Sequence, residues 1–297
     1  MDSKITILMA TYNGAKYLKE QLDSIINQSY SDFVLYISDD GSSDRTLDII
    51  KEYIERDDRI KLELSSHKGA CQNFAQMIRN HKDAEYIMLC DQDDVWDRHK
   101  VEKSLTVIQQ SDNDKPILLY CDKVYVDERL QPLEIIIRKY SDTFKSLLCQ
   151  CHIYGCTVMI NKQLIDLVDI PSYASMHDHW IALVAACEGK IIHLEESLIL
   201  YRQHTANVTG GINQFSLKKK LENWSKISKE DEKAINMCYR FSKDHLYNTV
   251  ASDYTKIFSK NGLSRIYKAI KFGYKLDHTL ATVRGLYEVM MADISEG

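Results

Sequence analysis

Strand, polar loop and amphipathic helix follow one another in this chain with a regularity that leaves few folds open. Ile5 to Met9 is a nearly continuous apolar run, broken only by Thr6, as a strand buried on both faces of a parallel sheet reads. The loop Ala10-Thr11-Tyr12-Asn13-Gly14 follows, and then Leu18, Leu22, Ile25 and Ile26 recur at helical spacing. Phe33 to Ile37, the loop Asp39-Asp40-Gly41-Ser42-Ser43-Asp44 and the face Leu47, Ile50, Ile54 repeat the plan. Two such units in succession predict a right-handed βαβ arrangement. Ile60 to Leu64 is a third strand, leading through Ser65 to Gly69 into a helix carrying Phe74, Met77 and Ile78. A fourth strand ends at Asp91, a helix is expected from Arg98 to Gln110, and a fifth strand, Ile117 to Cys121, ends in Asp122. Up to this point the chain reads as an alternating α/β sheet whose loops open on one edge, an arrangement suited to a nucleotide.

The stretch from Tyr86 to Trp96 focuses that reading. Five strand-like residues end in Asp91-Gln92-Asp93-Asp94, so a buried strand delivers carboxylates to the edge of the sheet where ligands bind in open α/β folds. Mg²⁺ or Mn²⁺ takes oxygen ligands, often one or two protein carboxylates plus substrate phosphates, and Asp91 and Asp93 suit that work. The plain alternative is an acidic turn, with Asp94 or Asp97 as the N-cap of the next helix. No GxGxxG or GxxxxGK[ST] pattern is present, which counts against a dinucleotide dehydrogenase and a P-loop enzyme.

At 297 residues the chain holds one large domain or two small ones, and 44% apolar content with 27% charged describes an ordinary globular protein. A net charge of -5 argues against nucleic acid as the main partner. No apolar run is long enough to span a bilayer and the start lacks a signal-peptide pattern, so a cytoplasmic protein is expected. The eight cysteines show no CxxC pair, and they read as small buried hydrophobes.

Beyond Asp127 the periodicity is mixed as far as Cys156. Thr157 to Ile160 then reads as a strand and Lys162 to Leu167 as a helix. After Pro171-Ser172-Tyr173 the cluster Met176-His177-Asp178-His179-Trp180 opens another helix, where an Asp at position 178 reads either as a functional acid or as a cap. Strands at Lys190 to Leu194 and Ser197 to Tyr201 lead to Arg202-Gln203-His204, and a metal-binding histidine suits the end of a strand. After Gly211 the composition shifts to helical spacing, with Leu217, Leu221, Trp224 and Ile227 beside Lys218, Lys219 and Lys220, and helix is expected out to Met291. A packed appendage and a basic surface for anionic membranes both fit that region. Tyrosine outnumbers phenylalanine 18 to seven, a bias that suits sugar handling.

In order and spacing, ATYNG, DDGSSDRT, DQDDVW, HDHW and YRQH resemble the motifs of the inverting family 2 glycosyltransferases of GT-A fold. The DQDDVW form is most similar to bacterial rhamnosyltransferase-type members that build surface polysaccharides. The resemblance covers residues 4 to 210 and implies a Rossmann-like, mostly parallel sheet with a helical C-terminal extension, divided here as 1–211 and 212–297. It implies that Ala10, Thr11 and Tyr12 hold the nucleoside, that Asp40 with Asp39 reads the N3–H of a pyrimidine, and that Lys68, Gly69 and Asn73 close on the nucleotide. Asp91 falls near the ribose with Gln92 beside it, Asp93 on a divalent metal, Mg²⁺ or Mn²⁺, and His204 across from it. Asp178 matches the general base of inversion, which must deprotonate the acceptor hydroxyl while the diphosphate departs.

Around these, Trp96, Trp180 and Arg202 are candidates for the sugar or acceptor, the tryptophans reading equally well as core. His177 and His179 either tune the base and touch the acceptor or are surface histidines, and the surface reading is the plainer one. The membrane helices and QxxRW motif of processive relatives are absent, so single addition is expected. The expected reaction moves one sugar, rhamnose, galactose, glucose or similar, from a UDP- or dTDP-sugar to a glycan, lipid-linked or protein-bound acceptor. Acceptor specificity is expected in residues 127–156 and the C-terminal helices, which also suit homo-oligomer contacts. A nucleotidyltransferase and a non-catalytic sugar- or nucleotide-binding partner subunit are the rival readings. The first usually needs a Gly-rich basic loop after strand one, and the pair Asp93 and Asp178 speaks against the second.

Overall fold

Eight strands form one sheet in the order β3-β2-β1-β4-β7-β6-β8-β5. They are β1 (Ile5–Thr11), β2 (Phe33–Asp39), β3 (Ile60–Leu64), β4 (Tyr86–Cys90), β5 (Val95–Trp96), β6 (Ile117–Val126), β7 (Val158–Asn161) and β8 (Lys190–Arg202). The computed structural model describes residues 5–65, 68–112, 114–135, 141–204, 229–259, 263–274, 290–292 and 294. The expected basic helix from Leu217 to Ile227, with Lys218, Lys219 and Lys220, and the division at 211/212 lie outside the described residues.

The first four strands behave as their apolar runs predict. β1 pairs parallel with β2 and with β4, and β2 pairs parallel with β3. Strand order reverses on the two sides of β1, which opens a crevice beyond its carboxyl end, the usual ligand position in such sheets. Side chains alternate between two cores. Leu8, Ile87, Leu89, Leu118 and Ile160 face one layer, while Ile5, Ile7, Met9, Met88, Leu119 and Met159 face the other.

The second layer is covered by α1 (Leu18–Ile26), α2 (Thr46–Ile54) and α4 (Lys100–Gln109). The first is covered by α3 (Gly69–Asn80), the short α5 (Phe144–Leu147), α6 (Lys162–Leu167) and α7 (His177–Glu188). Helices Lys229–Asp244, Thr249–Ile257 and Leu263–Lys271 complete that side, so the C-terminal extension is helical as expected.

Pairings between distant segments depart from the expectation. β7 inserts antiparallel between β4 and β6, and β5, a two-residue strand, pairs antiparallel with β8 at the sheet edge. The two strands expected at 190–194 and 197–201 are one. β8 runs unbroken beside β6, and a register shift opposite Cys121 and Asp122 lets the exposed Glu195 and Glu196 bulge out. Among the described residues no helix is long and apolar enough to cross a membrane.

The C-terminal helices share the core with the sheet layer. Phe241 is fully buried, and its ring meets Trp180 at 5.1 Å and Phe144 at 5.8 Å, both edge to face. Phe241→Ala is expected to lower the unfolding free energy by about 3–5 kcal/mol, measured as a urea-midpoint shift at constant slope.

Candidate active site

The loops after β1 and β2 are tied to each other before any ligand is considered. Asp39, at 1% exposure, accepts from Thr11 Oγ1 (2.9 Å), Gly41 N (3.2 Å), Ser42 N (2.9 Å) and Ser42 Oγ (2.6 Å). Four donors commit this carboxylate to the scaffold. Asp40 accepts from Lys68 N at 2.9 Å and Gly69 N at 2.8 Å, which draws the third loop over the second, and Gly69 turns there with φ of +75°. Asn73 is buried and exchanges two hydrogen bonds with Ser38. Ser38, Lys68, Asn73 and Glu63 line a cavity of about 270 Å³ beside Asp40. Ala10 is half-buried, Thr11 buried and Tyr12 exposed at the carboxyl end of β1. Tyr12 N donates to Gln92 Oε1 (2.9 Å) and Gln92 Nε2 returns to Tyr12 O (3.0 Å), so Gln92 latches two loops together. A Cβ on Gly14 would overlap that amide, which is why the turn takes glycine.

Past β4 the acids converge. Carboxylate oxygens of Asp91 and Asp94 and the Cys156 thiol lie within 4.8 Å of one another, and Asp93 Oδ2 meets His204 Nε2 at 2.7 Å. Burial, then the charges of Asp93 and Asp178, push Asp91 up to about 7. Burial, then the charges of Asp93 and Asp91, raise Asp94, which is fully buried. Its Oδ1 accepts from Arg202 N at 3.0 Å, while its Oδ2 has no hydrogen-bond partner. The N-cap alternative for Asp94 is therefore corrected, since a helix cap would leave it at the surface. Asp97 does serve the turn before α4, accepting from His99 N at 2.9 Å.

Arg202 is a correction as well. Only 1% exposed, it donates from Nε to Asp93 O (2.8 Å), from Nη1 to Glu128 O (2.7 Å) and from Nη2 to the Glu20 carboxylate, with its guanidinium 4.5 Å from the Tyr17 ring. It shapes the acidic loop from behind and presents nothing to a sugar. Trp96 is 3% exposed in the second core with Lys100 Nζ 3.5 Å over its ring, and Trp180 is packed among Phe241 and Tyr173. Of the two readings, core holds for both tryptophans.

Asp178 stands in the first turn of α7, two residues after its N-cap, Met176. Its Oδ2 accepts from Gly155 N at 3.0 Å and its Oδ1 from His179 N at 2.7 Å, so the carboxylate serves the helix start and still faces the crevice half-buried. The surface reading of its neighbours is overturned. His177 is 4% exposed, stacked 4.2 Å from Phe74, with neither ring nitrogen hydrogen-bonded, and a Cβ on Gly155 would meet its Nε2 at 2.6 Å. His179 is 7% exposed, its Nε2 paired with Leu147 O at 2.8 Å. Burial lowers both imidazole pKa values, which keeps them neutral near pH 7.

Asp178 and the acidic cluster meet through one short strap, Tyr154-Gly155-Cys156, whose Gly155 holds Asp178 and whose Cys156 sits against Asp91. Residues 6–166 match the family model for glycosyl transferase family 2. The chain belongs to that family. It is 26% identical over 275 residues to an uncharacterised glycosyltransferase of Rickettsia typhi, covering 89% of this chain and 82% of that protein. It is 28% identical over 226 residues to the dTDP-rhamnosyl transferase RfbG of Shigella flexneri, covering 71% and 77%. The crystal structure of S. aureus TarS with UDP superposes with a TM-score of 0.60 at 15% identity, covering 99% of this chain and 95% of that one. The GT-A α/β fold and a glycosyltransferase follow.

In this glycosyltransferase the donor set fits a hard divalent cation. Among the described residues Asp94 Oδ2 is an unpartnered buried oxygen, and neighbouring acid charges raise the proton affinity of Asp91 and Asp94, a repulsion that a cation relieves. Cys156, a soft ligand, suits neither Mg²⁺ nor Mn²⁺. Asp94 and Cys156 were the positions that residue type alone missed. The run DQDD contained Asp94 in plain view, but Cys156, just before β7, reaches the end of β4 only through the antiparallel pairing of the two strands, for which there is no local signal. Arg202→Lys keeps the charge and loses the fork, so about 1.5–3 kcal/mol of stability is expected to go, read by denaturant unfolding.

Proposed function

We propose that this glycosyltransferase is inverting and non-processive, and moves one sugar from a UDP- or dTDP-sugar onto a hydroxyl of a glycan, lipid-linked or protein-bound acceptor in bacterial surface polysaccharide or glycoprotein synthesis. The strap that joins Asp178 to the acidic cluster carries this reading, because it places a carboxylate across one crevice from the group of acids that suits a cation. The cavity beside Asp40 and Lys68 takes the pyrimidine nucleoside, and Ala10, Thr11 and Tyr12, at the carboxyl end of β1, hold it as well. The division of the chain into a nucleotide-sugar part, 1–211, and a helical part, 212–297, goes with this reading.

Asp93 and His204, with Asp91 and Asp94, would hold Mg²⁺ or Mn²⁺, which when bound supplies positive charge against a leaving diphosphate. Asp178 removes the proton of the acceptor hydroxyl as its oxygen bonds to the anomeric carbon and the bond to the nucleoside diphosphate breaks on the opposite face. Gly155 N–H and His179 N–H, at the start of α7, hold that carboxylate aimed. The dTDP-rhamnosyl transferase among the relatives and UDP in the TarS structure are what support the pyrimidine donors.

Asp178→Asn is expected to lower sugar transfer by about 100-fold or more while UDP or dTDP affinity stays within about twofold. Loss of nucleotide binding together with transfer would make Asp178 structural. Asp93→Ala is expected to abolish the gain in nucleotide affinity that Mn²⁺ gives in isothermal titration, and an undiminished gain would remove Asp93 from the site.

The work site is the inner face of a membrane. Leu263, Tyr267 and Ile270 share one face of the helix Leu263–Lys271 at 77%, 66% and 61% exposure, with Lys271 exposed beside them. Such a face suits anionic lipid. Sedimentation with anionic vesicles should carry the protein down at low salt and release it at high salt, and absence of binding at low salt would return the face to oligomer contacts.

A further inference from the structure

The loop from 171 to 176, which delivers the chain into α7, is clamped on both sides. Gln72 Nε2 on α3 donates to Pro171 O at 3.0 Å, and the Cys71 thiol donates to Ala174 O at 3.7 Å. From the other side, Met237 Sδ accepts from Ser175 N (3.4 Å) and Ser175 Oγ (3.5 Å). Between this loop and the helix Lys229–Asp244 lies a cavity of about 480 Å³, within the size range of small-ligand sites. Ser172, Tyr173 and Ala174 form one wall. Glu232, Asn236 and Arg240, one row along the helix at i, i+4 and i+8, form the other together with Lys233 and Met237.

The position of this cavity relative to the base is set by Cys71 and Ala174. The Cys71 thiol, pushed up to about 12 chiefly by burial and secondarily by the Asp178 charge, donates to Ala174 O behind the cavity wall, and Asp178 follows Ala174 by four residues along the same chain segment. Helix Lys229–Asp244 is fixed against the base helix, with Cys238 Sγ 3.7 Å from His179 Nε2 and Phe241 under Trp180. One wall of the cavity and Asp178 thus belong to one segment, Ser172 to Asp178, packed against the helix that forms the other wall.

The lining decides the class of occupant. By residue type Glu232 carries acceptors, Lys233 and Arg240 carry donors and Asn236 carries both, with Asn236 Nδ2 donating to Glu232 O at 3.0 Å, and Tyr173, 36% exposed, adds an aromatic ring with the Arg240 guanidinium 4.7 Å over it. A saccharide, with hydroxyls that both donate and accept and an apolar C–H face, answers every one of these groups. A lipid tail would meet apolar wall only at Met237 and Ala174. The nucleoside cavity, lined by Ser38, Lys68 and Asn73, is a separate one.

We infer that the cavity between loop 171–176 and the helix Lys229–Asp244 is a saccharide subsite for the acceptor, holding a sugar unit next to the one whose hydroxyl faces Asp178. This rests on the glycosyltransferase reading with Asp178 as its base. The acceptor is then an oligosaccharide of at least two units, and the C-terminal helices select it.

The test uses the full chain on an array of bacterial surface oligosaccharides, beside the double variant Lys233→Ala/Asn236→Ala and the single variant Tyr173→Ala, with UDP and dTDP titrations on all three. Alanine is at least as good a helix former at 233 and 236, so the double variant keeps its fold. The parent should bind a subset of the oligosaccharides. Both variants should bind those about tenfold or more weakly with nucleotide affinity unchanged. A parent that binds nucleotide but no oligosaccharide overturns the inference, as do variants that bind oligosaccharides as the parent does. A folded parent that binds neither UDP nor dTDP overturns the donor reading instead, a separate outcome.

Discussion

Three carboxylates within four residues, Asp91, Asp93 and Asp94, are held at the end of β4 against their own repulsion. Left to themselves, like charges at this spacing and burial would protonate or splay apart. The surroundings counter this with cations placed behind and beside the acids. Arg202 pins the loop by its carbonyl and its neighbours, Lys100 lies buried on the face of Trp96, and Lys123 rests 3.4 Å over the ring of Tyr154. Burial lowers the proton affinity of both lysines, while the nearby thiols and Asp94 work to raise it. Groups of both signs thus share one small volume, and their balance bears on the protonation of Asp91 and Asp94.

A second constraint runs from Asp178 outward. The position of its carboxylate depends on where α7 starts, and α7 is wedged between the sheet and the C-terminal helices through Trp180, His179 and Phe241. The buried, neutral histidines on each side of Asp178 belong to that wedge. The helical extension is therefore part of the wall of the crevice, which a reading of it as an appendage would not convey.

Buried parallel strands announce themselves, and so β1 to β4 and the helices between them were legible from apolar runs and helical spacing. The acids at the strand ends were legible for a related reason, because charges directly after a buried run can only emerge at a sheet edge. What stayed hidden depends on partners distant in the chain. β7 was legible as a strand, but its antiparallel seat between β4 and β6 is a property of those neighbours. Arg202 was read as a contact for sugar because its residue type says nothing of the three acceptors that bury it. His177, His179, Trp96 and Trp180 failed or divided on the same point, since a polar or amphipathic ring is compatible with either side of a surface. Cys156 looked inert, and by packing it is, yet it lies against the two acids that matter.

The span of these partners along the chain bears on how the molecule comes into being. The Arg202–Glu20 ion pair joins residues 182 apart, and Arg202 to Asp93 spans 109. Contacts of that separation are rewarded only after long loops have closed, and folds built on them form slowly. During synthesis the first four strands can pair while β8 is still unmade, so the acidic loop waits without the guanidinium that shapes it. The nucleotide-facing half is in place early, and the machinery that spends the nucleotide is finished last.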